Sequence, residues 1–186
     1  MAAAADYTRP APEHLLALGF TLATPDEIAA GRDIAARTVG PAVATVATLQ
    51  AVQNRTCGSA FVYRGDDGGL AGVLCFIPLA PAAAPALAAG MFDGIEPPLA
   101  MAARPGDPVI GVYGWGMAGV TWRGRAMVMK AALAIHRVIY DTVPLYGRAA
   151  TPGGERTLLH RMGAQAVPGP GGLVVCPPWT PQRKVA

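Results

Sequence analysis

The sequence has few charged residues and few cysteines, and each shortage excludes a class of protein. Only 15% of the 186 residues are charged, whereas 52% are hydrophobic. Disordered chains show the opposite balance. Gly and Pro together account for 41 residues, which is below the proportion that marks low-complexity chains. A folded chain is therefore expected, and its length suits one domain.

The cysteines give no sign of a disulfide framework or a metal site. Cys57, Cys75 and Cys176 are odd in number and form no CxxC pair, and no histidine lies at a metal-ligand spacing from them. Patterns of that kind are what a structural zinc site or a disulfide scaffold requires. We therefore expect buried free thiols and no bound metal.

Neither a secretory signal nor a membrane span is expected. Residues 1–10 lack the basic and apolar regions of a signal peptide, which favours a cytoplasmic location. Residues 68–91 carry no charge and are numerous enough to cross a bilayer. Because Pro78, Pro81 and Pro85 interrupt this stretch, we expect a buried strand and an Ala-rich helix there.

The net charge of +3 conceals an asymmetry between the two parts of the chain. Residues 1–107 carry a net charge of −4, and residues 108–186 carry +7. A basic half of this kind can attract an anionic ligand, either a nucleotide-like cofactor or nucleic acid, or it can be a solvated face. The basic residues are not interleaved with aromatic ones and belong to no recognition motif. A nucleic-acid partner is therefore not expected.

The residue pattern predicts alternating helices and strands. Thr24 followed by Pro25 and two acids is typical of a helix start, and Gly40-Pro41 ends that helix. Further helices are expected at 42–53, 81–90, 127–140 and 155–162, and strands at 58–64, 70–78, 108–121, 143–150 and 173–176. This order predicts an α/β (α+β) domain built around one sheet.

The most informative segment is the uncharged strand at 108–121, which contains four glycines and leads directly into Arg123-Gly124-Arg125 and a helix. A helix N-terminus directs free backbone N–H groups and the positive end of its dipole at one point. Such a point binds phosphate, and two arginines add charged donors. Tyr113 and Trp115 alternate on the strand, where they can line a ligand pocket or pack on the sheet.

Two pieces of the chain resemble the GNAT (GCN5-related N-acetyltransferase) superfamily. Residues 121–127 stand at the place of the family's acyl-CoA loop, and residues 156–169 resemble its closing helix and the strand after it. The resemblance covers residues 20–178, with an N-terminal segment at 1–19 and a C-terminal tail at 179–186. It implies a GNAT-like single domain whose central mixed, mostly antiparallel sheet is flanked by helices.

The resemblance also implies a ligand and a set of binding residues. The expected co-substrate is acetyl-CoA or another acyl-CoA, and the expected reaction is direct attack of an amine acceptor on the thioester. The family's loop pattern is Gln/Arg-x-x-Gly-x-Gly/Ala, from which Ala126 and Val128 depart. The implied cofactor-binding residues are Ala118, Gly119, Val120, Arg123, Gly124, Arg125, Ala126, Met127 and Val128.

No residue is identified as the catalyst from the sequence. The family often places a Tyr general acid four residues before the glycine that is here Gly163, and that position holds Leu159. The remaining candidates are His160, Tyr146 and Glu96, with Asp93 as a second loop carboxylate. The alternative function is a catalytically inactive GNAT-like module that binds CoA or a protein or small-molecule partner. The acceptor and the choice between monomer and homodimer stay open.

Overall fold

The computed structural model describes residues 12–180, which form a seven-stranded sheet with helices on both faces. The helices are α1 (Pro12–Ala17), α2 (Pro25–Val39), α3 (Val46–Thr56), α4 (Ala84–Ala88), α5 (Trp122–Ala134) and α6 (Pro152–Arg156). The strands are β1 (Phe20–Leu22), β2 (Ala60–Arg64), β3 (Leu70–Leu79), β4 (Gly111–Gly119), β5 (Leu145–Gly147), β6 (Gln165–Ala166) and β7 (Val174–Cys176). Short 3₁₀ turns occupy Pro81–Ala83 and Leu99–Met101, and π-helical turns at Ile135–Ile139 and Thr157–Arg161 extend α5 and α6.

The sheet has the order β1-β2-β3-β4-β5-β7-β6. The pairing of β4 with β5 is parallel, and the other neighbouring strands are antiparallel. The predicted mixed, mostly antiparallel sheet flanked by helices is therefore confirmed. One face packs against α1 and α5, whose residues Leu15 and Ala131 are buried, and the other packs against α2 through Ile28 and Ile34.

The predicted start and end of α2 are confirmed. The Thr24 hydroxyl accepts a hydrogen bond from the Glu27 amide, and the Glu27 carboxylate accepts one from the Thr24 amide. This reciprocal arrangement satisfies two amide groups that a helix start otherwise leaves unpaired. Gly40 ends the helix with φ of +112°, a conformation that favours glycine.

The start of α5 corrects the sequence prediction. The helix begins at Trp122 and not at residue 127, because the Thr121 hydroxyl caps it by accepting a hydrogen bond of 2.9 Å from the Gly124 amide. Arg123, Gly124 and Arg125 therefore form the first turn of the helix and not a loop before it. The preceding strand is correspondingly shorter than the predicted 108–121.

Other boundaries differ by a few residues for local reasons. The helix expected at 42–53 begins at Val46, because Thr45 provides the cap. The strand expected at 143–150 is reduced to Leu145–Gly147, and the sequence pattern did not predict β1. Gly163 has φ of +68°, as expected for a left-handed residue after α6.

The cysteine prediction is correct in part. All three thiols are free, but Cys57 is exposed, whereas Cys176 is buried. Cys57 is exposed because it terminates α3 at the surface in the left-handed conformation. Within residues 12–180, no helix is long and apolar enough to span a membrane. The same part of the chain has no cluster of three His, Cys, Asp or Glu side chains that could hold a metal ion.

Candidate functional site

β4 and β5 diverge after a short parallel contact. They pair only from Val112 with Leu145 to Gly114 with Gly147. β4 then continues to Gly119 beside β3. Cys75 of β3 pairs with Gly116 and Phe76 pairs with Gly114, so Trp115 lies between them as a β-bulge residue without a partner in β3. Among the strands of residues 12–180, none pairs with β4 on its β5 side beyond Gly114. An unpaired strand edge can form backbone hydrogen bonds with an extended ligand.

This open edge leads straight to the N-terminus of α5. Only Val120 and Thr121 separate β4 from the helix. The Gly124 amide is occupied by the Thr121 cap, while the amides of Trp122 and Arg123 belong to the first turn, which has no intrahelical acceptors. The first turn contains no acidic residue. No carboxylate of the turn itself offsets the helix dipole there, so its positive end favours an anion.

The two arginines of this turn are engaged differently. Arg123 forms an exposed ion pair of 2.7 Å with Asp66, in the turn between β2 and β3. Arg125 is exposed and has no hydrogen-bond or ion-pair partner in residues 12–180. Since exposed ion pairs contribute roughly 0–1 kcal/mol, Arg123 can leave Asp66 for a stronger anion, but Arg125 is free at the outset.

Glycines allow α5 to lie directly on the sheet. A Cβ on Gly124 would stand 2.0 Å from the carbonyl oxygen of Ala71, and one on Gly119 would stand 2.5 Å from the Arg125 amide nitrogen. These contacts are far shorter than atoms tolerate, so both positions require glycine. Their role in this structure is close packing of α5 against β3 and β4, which fixes the helix N-terminus at the end of the open edge.

The remaining predicted cofactor-binding residues divide between the core and the surface. Val128 is buried and lies against Gly72, where an added Cβ would stand 2.8 Å from its Cγ2, and Ala118 is buried as well. Val120 and Ala126 are exposed, and Met127 is half-buried. The side chain of Val128 therefore faces the sheet and does not block the α5 N-terminus.

A cavity of about 650 Å³ lies on the α2 face of the sheet and reaches the divergence of β4 and β5. Trp115 and Gly116 of β4 line it, as do Ala149 and Ala150, which follow β5. Most of its other walls are apolar, and the cavity is within the size range of sites for small ligands. Its apolar lining residues include Ala23, Ile28, Ala35, Val39, Val43, Leu49, Val62, Val73, Met91 and Phe92.

The segment from Gly90 to Ile95 covers the cavity beside Tyr113 and Trp115. The Trp115 indole N–H donates to the carbonyl of Gly94, and a Cβ on Gly94 would stand 2.3 Å from the Tyr113 hydroxyl. The Tyr113 ring also packs on Phe92, with centroids 4.8 Å apart. The two aromatic residues thus pack on the sheet face and also line the cavity.

Four charged residues line this cavity, namely Glu27, Arg32, Asp93 and Arg148. The Glu27 carboxylate is engaged with Arg64 and with the helix cap. Arg32 lies 3.4 Å from Asp33, and its Nε is buried without a hydrogen-bond partner. Arg148 contacts only uncharged oxygen atoms in residues 12–180.

The three catalytic candidates from the sequence do not come together at the cavity. His160 and Glu96 are exposed, Tyr146 is half-buried, and none of them lines the cavity. Burial raises the pKa of Tyr146, which keeps its phenol protonated. Leu159, at the family's tyrosine position, lines a second cavity of about 410 Å³ beside Ala149 and Ala150.

The cavity-lining arginines that the sequence did not indicate are Arg32 and Arg148. Each is one arginine among many, and nothing in its spacing distinguishes it from a surface residue. Asp93 was identified only as a loop carboxylate. Cys75 also lines the cavity, but burial raises its pKa to about 12, so its thiol is not a nucleophile at neutral pH.

No protein-family model and no curated protein matches the sequence. Three solved structures do match. The GphF GNAT-like decarboxylase in complex with isobutyryl-CoA has 17% identity and a TM-score of 0.48 over 69% of this chain, and the match spans only 64% of the GphF chain.

The second structure is "histone acetyltransferase HPA2 and related acetyltransferase" from Corynebacterium glutamicum, with 15% identity and a TM-score of 0.47 over 88% of this chain and 98% of that protein. The third is SsHAT, with 18% identity and a TM-score of 0.47 over 84% of this chain and 95% of that protein. At these identities and TM-scores, the likeness says nothing about activity or ligand.

Proposed function

We propose that this protein is a GNAT-like N-acyltransferase that binds acetyl-CoA or another acyl-CoA where β4 and β5 diverge. The observation that carries the proposal is the continuity of the site. The edge of β4 from Trp115 to Gly119 has no strand partner on its β5 side and leads within two residues to the N-terminus of α5. A ligand with an extended arm that ends in a phosphate group would match this arrangement, with the arm along the edge of β4 and the phosphate at the helix N-terminus.

The phosphates of the cofactor would bind at the first turn of α5. Its Trp122 and Arg123 amides and the positive end of the helix dipole favour an anion. Arg125 would add a charged donor without giving up another partner, and Arg123 would have to leave Asp66. The extended arm would follow the backbone of β4, so that the thioester lies near Trp115 and the cavity.

The transfer itself needs few side chains. The lone pair of an amine in the cavity attacks the thioester carbonyl carbon, the C–N bond forms, and the C–S bond breaks to release CoA. Backbone N–H groups beside the strand irregularity at Trp115 would stabilise the developing oxyanion. The proton lost by the amine would pass to Asp93 in the cavity wall, directly or through water.

The second candidate function is a binding module without catalysis. It is favoured by the position of His160, Tyr146 and Glu96 away from the cavity and by Leu159 at the family's tyrosine position. Such a module would keep the acyl-CoA site and lack turnover. Binding of acetyl-CoA therefore tests both candidate functions, and only an assay of turnover distinguishes them.

The first experiment is a thermal shift with acetyl-CoA. A ligand at a hundred times its Kd stabilises the native state by about 2.7 kcal/mol. For a chain of this size that corresponds to a rise in Tm of roughly 5–11 °C. The absence of a shift at millimolar acetyl-CoA would exclude both functions.

The second experiment is the release of free CoA thiol in the presence of a panel of amines. Thiol release that depends on the amine supports the enzyme. A thermal shift without any release supports the binding module. Acetyl-CoA with the protein but without an amine serves as the control, because it measures thiol that appears by hydrolysis and not by transfer.

A further inference from the structure

The arrangement around Arg148 carries an inference about the acceptor. We infer that the cavity takes a small amine with an apolar body and a carboxylate, and that the Arg148 guanidinium binds this carboxylate. The inference rests on the proposed function, because it names the substrate class for the same site.

Arg148 lies at one edge of the β4–β5 divergence. It directly follows Gly147, the last residue of β5 that pairs with β4. Its side chain is half-buried in the wall of the cavity. A carboxylate bound there would hold its own molecule beside the position where the thioester is proposed to lie. A charged group can thus orient the acceptor without contacting the reacting atoms.

The contacts of Arg148 hold the guanidinium in place without neutralising it. Nε donates to the Gly171 carbonyl, one terminal nitrogen donates to the Tyr113 hydroxyl at 3.4 Å, and the other donates to the Gly90 carbonyl at 3.4 Å. A guanidinium has five N–H donors, so two remain on the terminal nitrogens. These are the donors that bind a carboxylate in the bidentate geometry typical of arginine.

The surroundings hold the side chain in a fixed position. A Cβ on Gly171 would stand 2.7 Å from an Arg148 terminal nitrogen, and one on Gly169 would stand 2.4 Å from the Ala89 carbonyl. The segments on either side therefore approach each other and Arg148 as closely as glycine allows. A preorganised cation loses less entropy on binding than a mobile one.

The protein supplies no carboxylate of its own to Arg148 within residues 12–180. Glu27 is engaged with Arg64. The Asp93 Oδ1 accepts the amides of Ile95 at 2.7 Å and Glu96 at 3.1 Å. The ion pairs among residues 12–180 join other residues, so none links Asp93 to Arg148. A half-buried arginine without a counter-ion is costly, and a ligand carboxylate would supply one.

Tyr113 provides a second polar contact. Its hydroxyl accepts from Arg148, which leaves its own hydrogen to donate. Burial raises the pKa of this phenol, Arg148 lowers it and the charge of Asp93 raises it, and the net change is a rise, so that the hydroxyl stays a donor at neutral pH. The rest of the cavity is mostly apolar, which suits a hydrophobic body on the acceptor.

The transfer leaves the carboxylate unchanged. The amine nitrogen forms a bond to the acyl carbon, the C–S bond of the thioester breaks, and the proton lost by nitrogen passes to Asp93 or water. The products are an N-acylated carboxylic acid and free CoA. Arg148 is therefore a positioning residue whose loss should raise KM for the acceptor more than it lowers kcat.

The test compares ligands that differ only in the carboxylate. The substrates are L-phenylalanine against phenethylamine and L-leucine against 3-methylbutylamine, assayed by release of CoA thiol from acetyl-CoA. The product analogues N-acetyl-L-phenylalanine and N-acetylphenethylamine are compared by thermal shift, which requires no turnover. We expect the carboxylated member of at least one pair to react or bind better by roughly ten- to hundred-fold, as charge-assisted hydrogen bonds imply.

The variants are R148Q and R148K, with R37Q as the control, since Arg37 is exposed at the end of α2 and does not line the cavity. R148Q should abolish the preference for the carboxylated ligand, R148K should keep part of it, and R37Q should keep all of it. If R148Q fails to fold because its bracing contacts are lost, the comparison of matched ligands on the unchanged protein still tests the preference for a carboxylate, and R148K still tests whether that preference depends on Arg148.

The outcomes separate this inference from the proposed function. If acetyl-CoA raises Tm but no carboxylated ligand does better than its uncharged counterpart, the inference is wrong and the proposed function stands. A larger shift with succinyl-CoA than with acetyl-CoA, lost in R148Q, would put the carboxylate on the acyl group and overturn the acceptor assignment. If acetyl-CoA gives no shift, the proposed function itself fails.

Discussion

Replacing Gly124 by alanine should destabilise the protein by forcing α5 away from the sheet. The new Cβ would stand 2.0 Å from the Ala71 carbonyl oxygen and 2.8 Å from its carbonyl carbon. Both are backbone atoms and cannot rotate away. Overpacking of this kind costs about 1–3 kcal/mol, and the upper end applies here. Against that, alanine gains about 1 kcal/mol over glycine in a helix.

The net loss is therefore about 2 kcal/mol in the free energy of unfolding, or a fall in Tm of roughly 4–8 °C for a chain of this size. The matched control is G153A, because Gly153 also lies in the first turn of a helix and its added Cβ would approach nothing closer than Thr151 Oγ1 at 4.0 Å. G153A should leave Tm unchanged or raise it.

Differential scanning fluorimetry and urea unfolding measure both variants. Equal Tm values for G124A and G153A would show that Gly124 does not hold α5 against β3, and the account of the helix position would fail. Because G124A also moves the N-terminus of α5, it should reduce the thermal shift caused by acetyl-CoA, whereas G153A should not.

Three further results are expected. R125Q should weaken acetyl-CoA binding about ten-fold, the effect of losing one charge-assisted hydrogen bond. R123Q should have a smaller effect, because Arg123 has to give up its ion pair with Asp66 before it can bind the ligand; equal losses by calorimetry would refute this ranking. At pH 8 in the folded protein, the exposed Cys57 should react with a thiol reagent faster than Cys75 and Cys176, because burial raises the thiol pKa of these two to about 12 and about 11; equal labelling rates for all three before unfolding would contradict this order. Urea unfolding should show that the free energy of unfolding falls between pH 9 and 11. Burial raises the pKa of Cys75 to about 12 and of Cys176 to about 11, so the unfolded chain releases thiol protons in this range that the folded chain keeps. A free energy of unfolding that does not change with pH in this range would refute the prediction.

The fold was largely predictable because its elements carry local signals. The cap at Thr24, the turn at residues 65–69 and the left-handed Gly163 are each set by neighbours in sequence. The sequence pattern places the start of α5 too late, because the residues after Thr121 include Trp122 and Gly124, which are not typical of a first helical turn. Its position depends on tertiary packing on Ala71.

The site was predictable only in part. The strand and the arginine-containing turn follow each other in the chain, so their combination is visible in the sequence. The cavity is assembled from α2, β4, the segment around Asp93 and the residues after β5, which are distant in sequence. Arg148 gains its significance only from the absence of a carboxylate partner within residues 12–180, and no sequence pattern encodes that.

The basic C-terminal half can now be described more closely. Arg123 and Arg125 lie at the N-terminus of α5, and Arg148 lies in the cavity wall. The phosphate of the acyl-CoA would therefore bind at Arg123 and Arg125, and the carboxylate of the acceptor would bind at Arg148. The excess positive charge would then serve attraction of both ligands from solution.

The central claim is that an acyl-CoA lies along the open edge of β4 and the N-terminus of α5. Amide hydrogen–deuterium exchange with and without saturating acetyl-CoA tests it most directly. We expect slower exchange in the peptide that covers residues 115–125, since the ligand would engage the backbone of β4 and the first amides of α5. Protection confined to other segments, or no change at a ligand concentration that raises Tm, would contradict the account.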